Sequence, residues 1–210
     1  MTSLYSAGEA DDSDCPPPPG RVTLTERMTG FPVGSESEAF YQRFYPESTK
    51  EQWCDWRWQL RHRITTVSDL GRVFDLGEDE IEAVANRDGS LPVGITPYYA
   101  SLMSRTDPTD PLRRSHVPTT AEHVARPGDM EDPLREDHYE VAPGLVHRYP
   151  DRVLFLATSY CSTYCRYCTR SRRVGDAGVG APSRSRWEEA IAYIADHPEV
   201  RDVLISGGDP

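Results

Sequence analysis

The chain has 210 residues, 37% of them hydrophobic, and carries 23 basic against 34 acidic side chains, for a formal net charge of -11. This length allows one large domain or two small ones. The acidic balance argues against a nucleic-acid binder, because affinity for phosphate needs a basic surface. No window approaches the roughly 20 apolar residues of a membrane helix, so a membrane-spanning protein is not expected.

The first ten residues and the cysteine content bear on the cellular setting. Residues 1–10 hold neither a basic stretch nor an apolar one, so no secretory signal is predicted. Five Cys, three of them within eight residues, do not suggest an oxidised disulfide scaffold. A reducing, cytoplasmic setting is the simplest interpretation.

Composition divides the chain into three expected regions. Residues 1–35 are acidic and rich in proline, which predicts a disordered extension. Residues 36–142 are expected to form a helical and wrapping region, because apolar residues recur at helical spacing over 36–63 and residues 92–150 are rich in proline and charge. Residues 143–210 hold the most regular patterns and are expected to form the start of a further domain.

Two patterns in the helical region predict structure rather than chemistry. Trp53, Trp56 and Trp58 fall close together and are interpreted as packing residues. Residues 68–88 are typical of a pair of short helices.

The last sixty residues predict one strand–loop–helix–strand unit, which builds parallel sheets or barrels. Residues 152–158 form a continuous apolar run, as expected for a strand buried on both faces. Ser183 is a candidate N-cap for the helix, and residues 203–205 begin a second buried strand. A lone unit leaves strand edges unpaired, so we expect the chain to be the N-terminal part of a longer protein. The helix is expected to bury one face, made of Trp187, Ala190, Ile191 and Ile194.

Cys161, Cys165 and Cys168 follow the first predicted strand with the spacing C-x3-C-x2-C. Zinc sites usually supply four ligands, and electron-transfer ferredoxins use four Cys. Three thiolates can hold three irons of a [4Fe–4S] cube and leave the fourth iron open to an outside ligand. Two alternatives stay open: an incomplete zinc or other metal site, and an iron–sulfur electron carrier or sensor.

This triplet, with an aromatic residue before its last Cys, resembles the signature of radical S-adenosylmethionine enzymes. In that superfamily the open iron binds S-adenosylmethionine, and cleavage of this cofactor gives a 5′-deoxyadenosyl radical. The resemblance implies an α/β fold, in which a helical N-terminal region precedes a partial (β/α)6 barrel that is truncated here after its second strand. The residues implied to bind the cofactor are Tyr167, Ser206, Gly207, Gly208 and Asp209.

Other segments are similar to the lysine 2,3-aminomutase family. Members of this family use S-adenosylmethionine and pyridoxal phosphate to move an α-amino group to the β-carbon, which makes them isomerases. The resemblance also implies an external electron donor such as flavodoxin or ferredoxin, and a homo-oligomer acting on a small amino acid. The similar segments are residues 143–156 (PGLVHRYPDRVLFL), 164–170 (YCRYCTR), 56–59 (WRWQ), 97–99 (PYY) and 132–137 (DPLRED).

The family resemblance assigns roles to three arginines. Arg170 would bind the α-carboxylate of the substrate, and Arg148 and Arg152 the phosphate of pyridoxal phosphate, because guanidinium groups offer paired donors to such anions. Strand ends are expected to place all three beside the cysteine loop. The single lysine, Lys50, has no mark of a cofactor lysine, so the Schiff-base lysine is expected beyond Pro210. No catalytic residue other than the cluster ligands is therefore expected here, and this chain alone is expected to be inactive.

The substrate stays open at this stage. L-lysine is the first expectation, with glutamate and arginine as alternatives, because Ser171 interrupts the arginine run that lysine enzymes often carry. A further alternative is a lysine aminomutase that serves the modification of a translation elongation factor.

Overall fold

The computed structural model describes residues 34–86, 91–175 and 183–210. Residues 35–210 form one compact unit. The disordered extension expected over residues 1–35 lies almost wholly outside the described residues, and it stays a prediction. No helix among the described residues is long and apolar enough to cross a membrane.

Short helices fill the first half of this unit, and side-chain caps separate them. Thr49, Asp55 and Thr66 each accept a hydrogen bond from a backbone N–H in the first turn that follows, which satisfies a donor that the helix leaves free. The helical pattern expected over residues 36–63 is therefore divided into three helices, and the helix pair expected over 68–88 is confirmed. The helices are α1 Ser35–Phe44, α2 Lys50–Trp53, α3 Trp56–Arg61, α4 Val67–Val73, α5 Glu78–Ala85, α6 Pro97–Ala100 and α7 Pro111–Arg114.

An aromatic core holds these helices together. Trp53 and Trp58 are buried, and the ring of Tyr45 lies 5.9 Å and 5.5 Å from theirs. Tilted and edge-on ring pairs at such distances are favourable beyond the apolar area they bury. The packing interpretation is confirmed for these two tryptophans and is wrong for Trp56, which is exposed.

One ion pair is buried within the helical region. Arg113 on α7 donates from Nε to Glu80 Oε1 over 2.9 Å and from Nη2 to Glu80 Oε2 over 2.6 Å. It also donates to the backbone oxygens of Asp75 and Arg105, each over 2.8 Å. The pair ties α7 to the first turn of α5, and burial of the charge is tolerated because both carboxylate oxygens and two carbonyls accept from it.

Four strands among the described residues form one sheet in the order β1–β2–β3–β4. Strand β2 pairs antiparallel with both β1 and β3. Strands β3 and β4 pair in parallel, with Phe155 opposite Ile205. Helix α8, Arg184–Asp196, begins at the cap Ser183 and connects β3 to β4, so the predicted strand–loop–helix–strand unit is confirmed. The strands are β1 Glu140–Ala142, β2 Leu145–Tyr149, β3 Arg152–Thr158 and β4 Asp202–Gly207.

Strands β1 and β2 were not predicted. They lie in the stretch rich in proline and charge, which has no alternation of apolar and polar residues that would predict a strand. Their pairing crosses the boundary expected between residues 142 and 143. The described strands form an open sheet, preceded by helices, in a mixed α/β arrangement.

The burial predicted for the two parallel strands is wrong. Leu145, Val153 and Ala190 form a buried core between α8 and the sheet. Helix α8 packs over the inner strands rather than over the edge strand β4, so Ile205, which is opposite Phe155 on that face, is 59% exposed. Leu204 is opposite Leu154 on the other face and is 65% exposed.

The predicted face of α8 is only partly buried. Ala190 is fully buried and Ile194 packs against the same core, as predicted. Trp187 and Ile191 are exposed instead, and Tyr193 joins the packed side of the helix. The buried stripe is therefore centred on Ala190 and is narrower than the apolar pattern indicated.

Candidate functional site

The three clustered cysteines lie in the loop that follows β3, hereafter the cysteine loop (residues 159–174). Cys161, Cys165 and Cys168 carry free, half-buried thiols. Burial raises the pKa of the Cys161 thiol to about 11, and the nearby Cys168, Asp209 and Cys165 add to this. Burial likewise raises the pKa of the Cys165 thiol, with a further contribution from Cys168. The thiols of Cys161 and Cys165 are therefore both harder to ionise than a free thiol.

The arrangement of these thiols bears on the kind of metal site that they can form. No group of three or more His, Cys, Asp or Glu side chains within the described residues could hold a metal ion. A structural zinc ion needs its ligands to surround one point, whereas the cysteines of an iron–sulfur cube each bind a different iron. Three free thiols in one loop match in number the cysteine ligands that such a cube would take with its fourth iron open.

The helical region holds the cysteine loop in place. Tyr164 N donates to Gly94 O, and Arg166 N donates to Ser115 O, each over 2.8 Å. The guanidinium of Arg166 pairs with Glu122, with Nη2 2.6 Å from Oε2. A Cβ on Gly94 would lie 2.9 Å from the Tyr164 ring, so only glycine lets this ring approach so closely.

Arg63 contacts the same loop from the segment between α3 and α4. Its Nη1 donates to Cys161 O over 2.9 Å, and its guanidinium lies 4.6 Å from the Tyr160 ring centroid and 5.3 Å from that of Tyr164. Cation–π contacts of this kind are favourable, more so when desolvated. Arg63 Nε is buried and has no hydrogen-bond partner within the described residues.

The end of β4 lies directly against the start of the cysteine loop. Gly208 N donates to Thr158 O and Asp209 N to Tyr160 O, each over 2.7 Å. Gly207 has φ +124°, a left-handed conformation that favours glycine. A Cβ on Gly207 or Gly208 would lie far inside contact distance of the carbonyl oxygens of Thr158 and Tyr160. The two glycines therefore permit a backbone approach that other residues would block.

Of the remaining residues implied to bind S-adenosylmethionine, Ser206 and Asp209 lie at this contact. Ser162 Oγ donates to Asp209 Oδ2 over 2.8 Å, which links the loop to the strand end through side chains. Ser206 pairs with Leu156 of β3, one residue before the glycines. Tyr167 is exposed between the second and third cysteines.

Arg148 and Arg152 lie at the opposite end of β3 from the start of the cysteine loop. Arg152 begins β3, and the loop follows the other end of that strand, about 20 Å away at roughly 3.3 Å per residue. Tyr149 is opposite Arg152 in the sheet, so Arg148 lies at the same remote end. The expected position is therefore wrong with respect to the strand end that precedes the cysteines, although both arginines share a cavity with Arg170 of the cysteine loop.

A cavity of about 430 Å³ nevertheless brings the three arginines together. Arg148, Arg152 and Arg170 line it, together with Glu136. Val146 of β2 and Leu154 of β3 also line the cavity. Each directly follows a residue that packs against α8, Leu145 and Val153 respectively, and successive side chains of a strand point to opposite faces of the sheet. The cavity therefore lies on the sheet face opposite α8.

A second cavity of about 400 Å³ lies at the C-terminal ends of β3 and β4. Gly207, Arg172 and Arg173 line it, and so does Arg170. Arg170 therefore lines both cavities, the one that Gly207 lines at the end of β4 and the one that Arg148 and Arg152 line.

Existing contacts leave Arg148 and Arg152 accessible to a ligand. The Arg148 guanidinium lies 5.4 Å and 5.7 Å from the rings of Tyr139 and Tyr149. Arg152 pairs with the neighbouring Asp151, with Nε 3.0 Å from Oδ1, and remains exposed. An anion in the cavity can replace or share these weak surface interactions.

A segment of acidic residues, hereafter the acidic strap (residues 132–140), binds the arginines of the cysteine loop. Arg170 Nε donates to the buried Glu136 Oε1 over 2.9 Å. Arg172 pairs with Asp132 over 2.9 Å, and both Arg172 and Arg173 bind Asp137. Hydrogen bonds from these two arginines lower the pKa of Asp137 to about 2.

Comparison with known proteins shows the family to which the chain belongs. The L-lysine 2,3-aminomutase of Bacillus subtilis is 52% identical over 160 residues, covering 76% of this chain and 34% of the relative. That of Clostridium subterminale is 48% identical over 165 residues, covering 79% of this chain and 39% of the relative. The chain belongs to the lysine 2,3-aminomutase family.

Other comparisons add detail to this assignment. A glutamate 2,3-aminomutase of Clostridioides difficile is 36% identical over 161 residues, covering 77% of this chain and 38% of the relative. No family model matches the chain. This member of the lysine 2,3-aminomutase family spans between 34% and 40% of the length of the four lysine aminomutases that it matches at 46–52% identity.

Sequence reasoning about this aminomutase-family chain missed three residues at the site. Glu136 lies within a segment recognised as similar to the family, yet no role was assigned to it. Arg63 and Gly94 contact the cysteine loop from the helical region, and neither stands in a pattern that could have signalled it. Lys50, by contrast, lies at the start of α2 with its Nζ 4.0 Å from Glu38 Oε2.

Proposed function

We propose that the protein is an amino acid 2,3-aminomutase that moves the α-amino group of L-lysine to the β-carbon. The observation that carries this proposal is the contact between the cysteine loop and the glycine end of β4. In this contact the loop that carries three free thiols packs against a strand end whose Gly207 lines the cavity of about 400 Å³. The relatives named L-lysine 2,3-aminomutase, at 46–52% identity, support the choice of reaction and substrate.

In this proposal the cysteine loop holds an iron–sulfur cluster. The thiolates of Cys161, Cys165 and Cys168 would bind three irons of a [4Fe–4S] cluster, and because burial raises the pKa of the Cys161 thiol, metal binding must displace its proton. Together the cluster and S-adenosylmethionine would supply the 5′-deoxyadenosyl radical. The residues that would contact S-adenosylmethionine are Tyr167, Ser206, Gly207, Gly208 and Asp209.

The cavity with three arginines is the proposed site of the other ligands. Arg148 and Arg152 would bind the phosphate of pyridoxal phosphate, which supplies a carrier for the migrating amino group. Arg170, between the two cavities, would bind the α-carboxylate of the substrate, because its planar guanidinium offers paired donors. The Schiff-base lysine is proposed to lie beyond Pro210, so that this chain alone is inactive.

The remaining elements of the proposal concern fold and setting. The exposed apolar residues of β4 are those that further strands of a partial (β/α)6 barrel would cover. A one-electron donor such as flavodoxin or ferredoxin, a homo-oligomeric assembly and a cytoplasmic location belong to the same proposal.

Anaerobic reconstitution of the complete protein with iron and sulfide tests this function. We expect the reduced protein to give the electron paramagnetic resonance signal of a [4Fe–4S] cluster, a change in that signal on addition of S-adenosylmethionine, and conversion of L-lysine to β-lysine. Replacement of Cys161, Cys165 or Cys168 by Ala should abolish all three. The exposed Cys54 provides the matched control, since Cys54→Ala should retain them. Conversion of L-lysine that survives in the three loop variants would refute the proposal.

Glutamate is the second candidate substrate, favoured by the similarity to a glutamate 2,3-aminomutase. Assays with L-lysine, L-glutamate and L-arginine side by side distinguish the candidates by their kcat/KM values. Attachment of the isomerised lysine to a translation elongation factor would point to the protein-modification role. A cluster signal that S-adenosylmethionine leaves unchanged would identify an electron carrier or sensor instead.

A further inference from the structure

Glu136 makes an unusual ion pair with Arg170. The Glu136 residue is 3% exposed, and its Oε1 accepts from Arg170 Nε over 2.9 Å. Because this bond uses Nε, the two terminal nitrogens of Arg170 remain available, and neither bonds to another of the described residues. These terminal nitrogens therefore form the edge of Arg170 that a ligand in the cavities can reach.

The pair differs from a structural ion pair elsewhere in the same molecule. Glu80 is buried about as deeply as Glu136, and both of its oxygens accept from Arg113. In Glu136 only Oε1 is used: Oε2 is buried without a hydrogen-bond partner, and its nearest cation is Arg172 Nη2 at 3.8 Å. A pair that only stabilised the fold would be expected to use both oxygens.

The backbone around Glu136 is held in a strained shape. Arg135 has φ +55°, and within the described residues it is the only one other than glycine with a positive φ. Both oxygens of Asp132 accept backbone N–H groups, from Glu136 over 3.0 Å and from Asp137 over 2.9 Å. Such strain persists where the surrounding structure fixes it, and it concentrates at functional sites. Here the strained residue directly precedes Glu136, whose Oε1 accepts from Arg170.

We propose that Glu136 is a positioning residue that holds the guanidinium of Arg170 with both terminal nitrogens towards the α-carboxylate of an amino acid substrate. The site then selects α-amino acids over amines of the same length, since only the former satisfy both donors. This inference rests on the proposed function in one respect, the role of Arg170 as the carboxylate-binding residue.

Kinetics of the complete, reconstituted enzyme test the inference, with Glu136→Gln and Glu136→Ala as variants. L-lysine is the substrate, and cadaverine, its counterpart without a carboxylate, is the competitive probe. We expect KM for L-lysine to rise about tenfold in E136Q and further in E136A, with kcat changed much less. The inhibition constant of cadaverine should stay unchanged, because cadaverine makes no contact with the orienting edge of Arg170. An equal loss of affinity for L-lysine and cadaverine would show a merely structural role and overturn the inference.

Two further variants separate positioning from general destabilisation. Glu80→Gln disrupts the comparably buried pair with Arg113 and should lower the melting temperature without raising KM. In the double variant E136Q/R170K, KM should rise no further than in R170K alone, because both changes remove one interaction. Additive effects would contradict the inference, as would an unchanged KM in E136Q.

The wild-type enzyme and the R170K variant show whether only the positioning role of Glu136 fails or the proposed function fails with it. Turnover of L-lysine that is lost in R170K and unaffected in E136Q overturns the positioning role alone. A wild-type enzyme that neither binds nor converts any α-amino acid overturns the proposed function and the inference together.

Discussion

Arg63 Nη1 donates a hydrogen bond to the backbone oxygen of Cys161 over 2.9 Å, and the two residues are 98 positions apart in the chain. Arg63 follows α3 of the helical region, whereas Cys161 is the first cysteine of the loop after β3. The bond therefore joins the helical region to the proposed cluster ligands. The rings of Tyr160 and Tyr164, on either side of Cys161, lie against the same guanidinium.

Replacement of Arg63 should loosen the cysteine loop. Arg63→Met keeps much of the apolar stem and removes both the hydrogen bond and the cation–π contacts, so we expect the free energy of unfolding to fall by about 1–3 kcal/mol. Urea unfolding followed by circular dichroism measures this change. Arg61→Met is the matched control, since Arg61 is exposed at the end of α3. Equal losses in the two variants would show that the contacts to the loop contribute nothing specific.

The approach of β4 to the cysteine loop predicts a second sensitive position. A Cβ at Gly208 would clash with Tyr160 O, so Gly208→Ala must move the backbone of the loop away from the strand. We expect lower iron content after reconstitution of the complete protein and a lower melting temperature. Gly71→Ala is the control, because it lies within α4 with only Leu76 Cδ1 near its Cβ, at 3.9 Å. That change should be neutral or stabilising by up to about 1 kcal/mol. Normal iron content in G208A would contradict the account of the contact.

The buried pair of Glu80 and Arg113 predicts the largest loss of stability. Arg113→Met leaves the Glu80 carboxylate buried without its partner, and two backbone oxygens lose a donor. Removal of one partner of a buried pair typically costs about 3–5 kcal/mol, and denaturant titration at neutral pH measures it. Arg184→Met breaks the exposed pair with Glu188, 90% and 64% accessible, and should cost less than about 0.5 kcal/mol. Similar costs in both variants would show that the burial of Arg113 is unimportant.

The parts of the fold that were predicted correctly depend on local signals. The apolar run of β3, the cap at Ser183 and the spacing of the three cysteines are each contained within a few residues. The strand–loop–helix–strand unit could therefore be predicted, and so could the position of the cysteine loop after β3. The extent of burial could not, because it depends on which element covers which face: α8 lies over β2 and β3 and leaves Ile205 of β4 exposed.

The parts that were missed depend on contacts between distant positions. Glu136 binds Arg170 from 34 residues away, and Arg113 binds Glu80 from 33 residues away. Charged residues at such separations leave no periodic pattern, and each would be interpreted as an ordinary surface residue. The same reason hides the role of Arg63. Arg148 and Arg152 show a different error: they lie at the end of the strands away from the first cysteine, and they meet the cysteine loop only at Arg170.

Asp137 predicts how stability depends on pH. Hydrogen bonds from Arg172 and Arg173 lower its pKa from 3.8 to about 2, so the folded state favours the ionised carboxylate. A lowered pKa stabilises the fold above the unfolded value and ceases to do so as pH falls through the folded value. The free-energy difference between wild type and Asp137→Asn should therefore be largest above about pH 4 and disappear near pH 2.

Urea unfolding of wild type and D137N at several pH values between 2 and 7 checks this dependence. The side chain of Asp137 is 55% exposed, so solvent screening keeps the difference small. A repeat in 1 M NaCl should reduce it further, because the Debye length falls to about 3 Å. A difference between the two proteins that stays constant down to pH 2 would mean that Asp137 acts through its shape or its backbone, and that the charge it presents to Arg172 and Arg173 does not stabilise the strap.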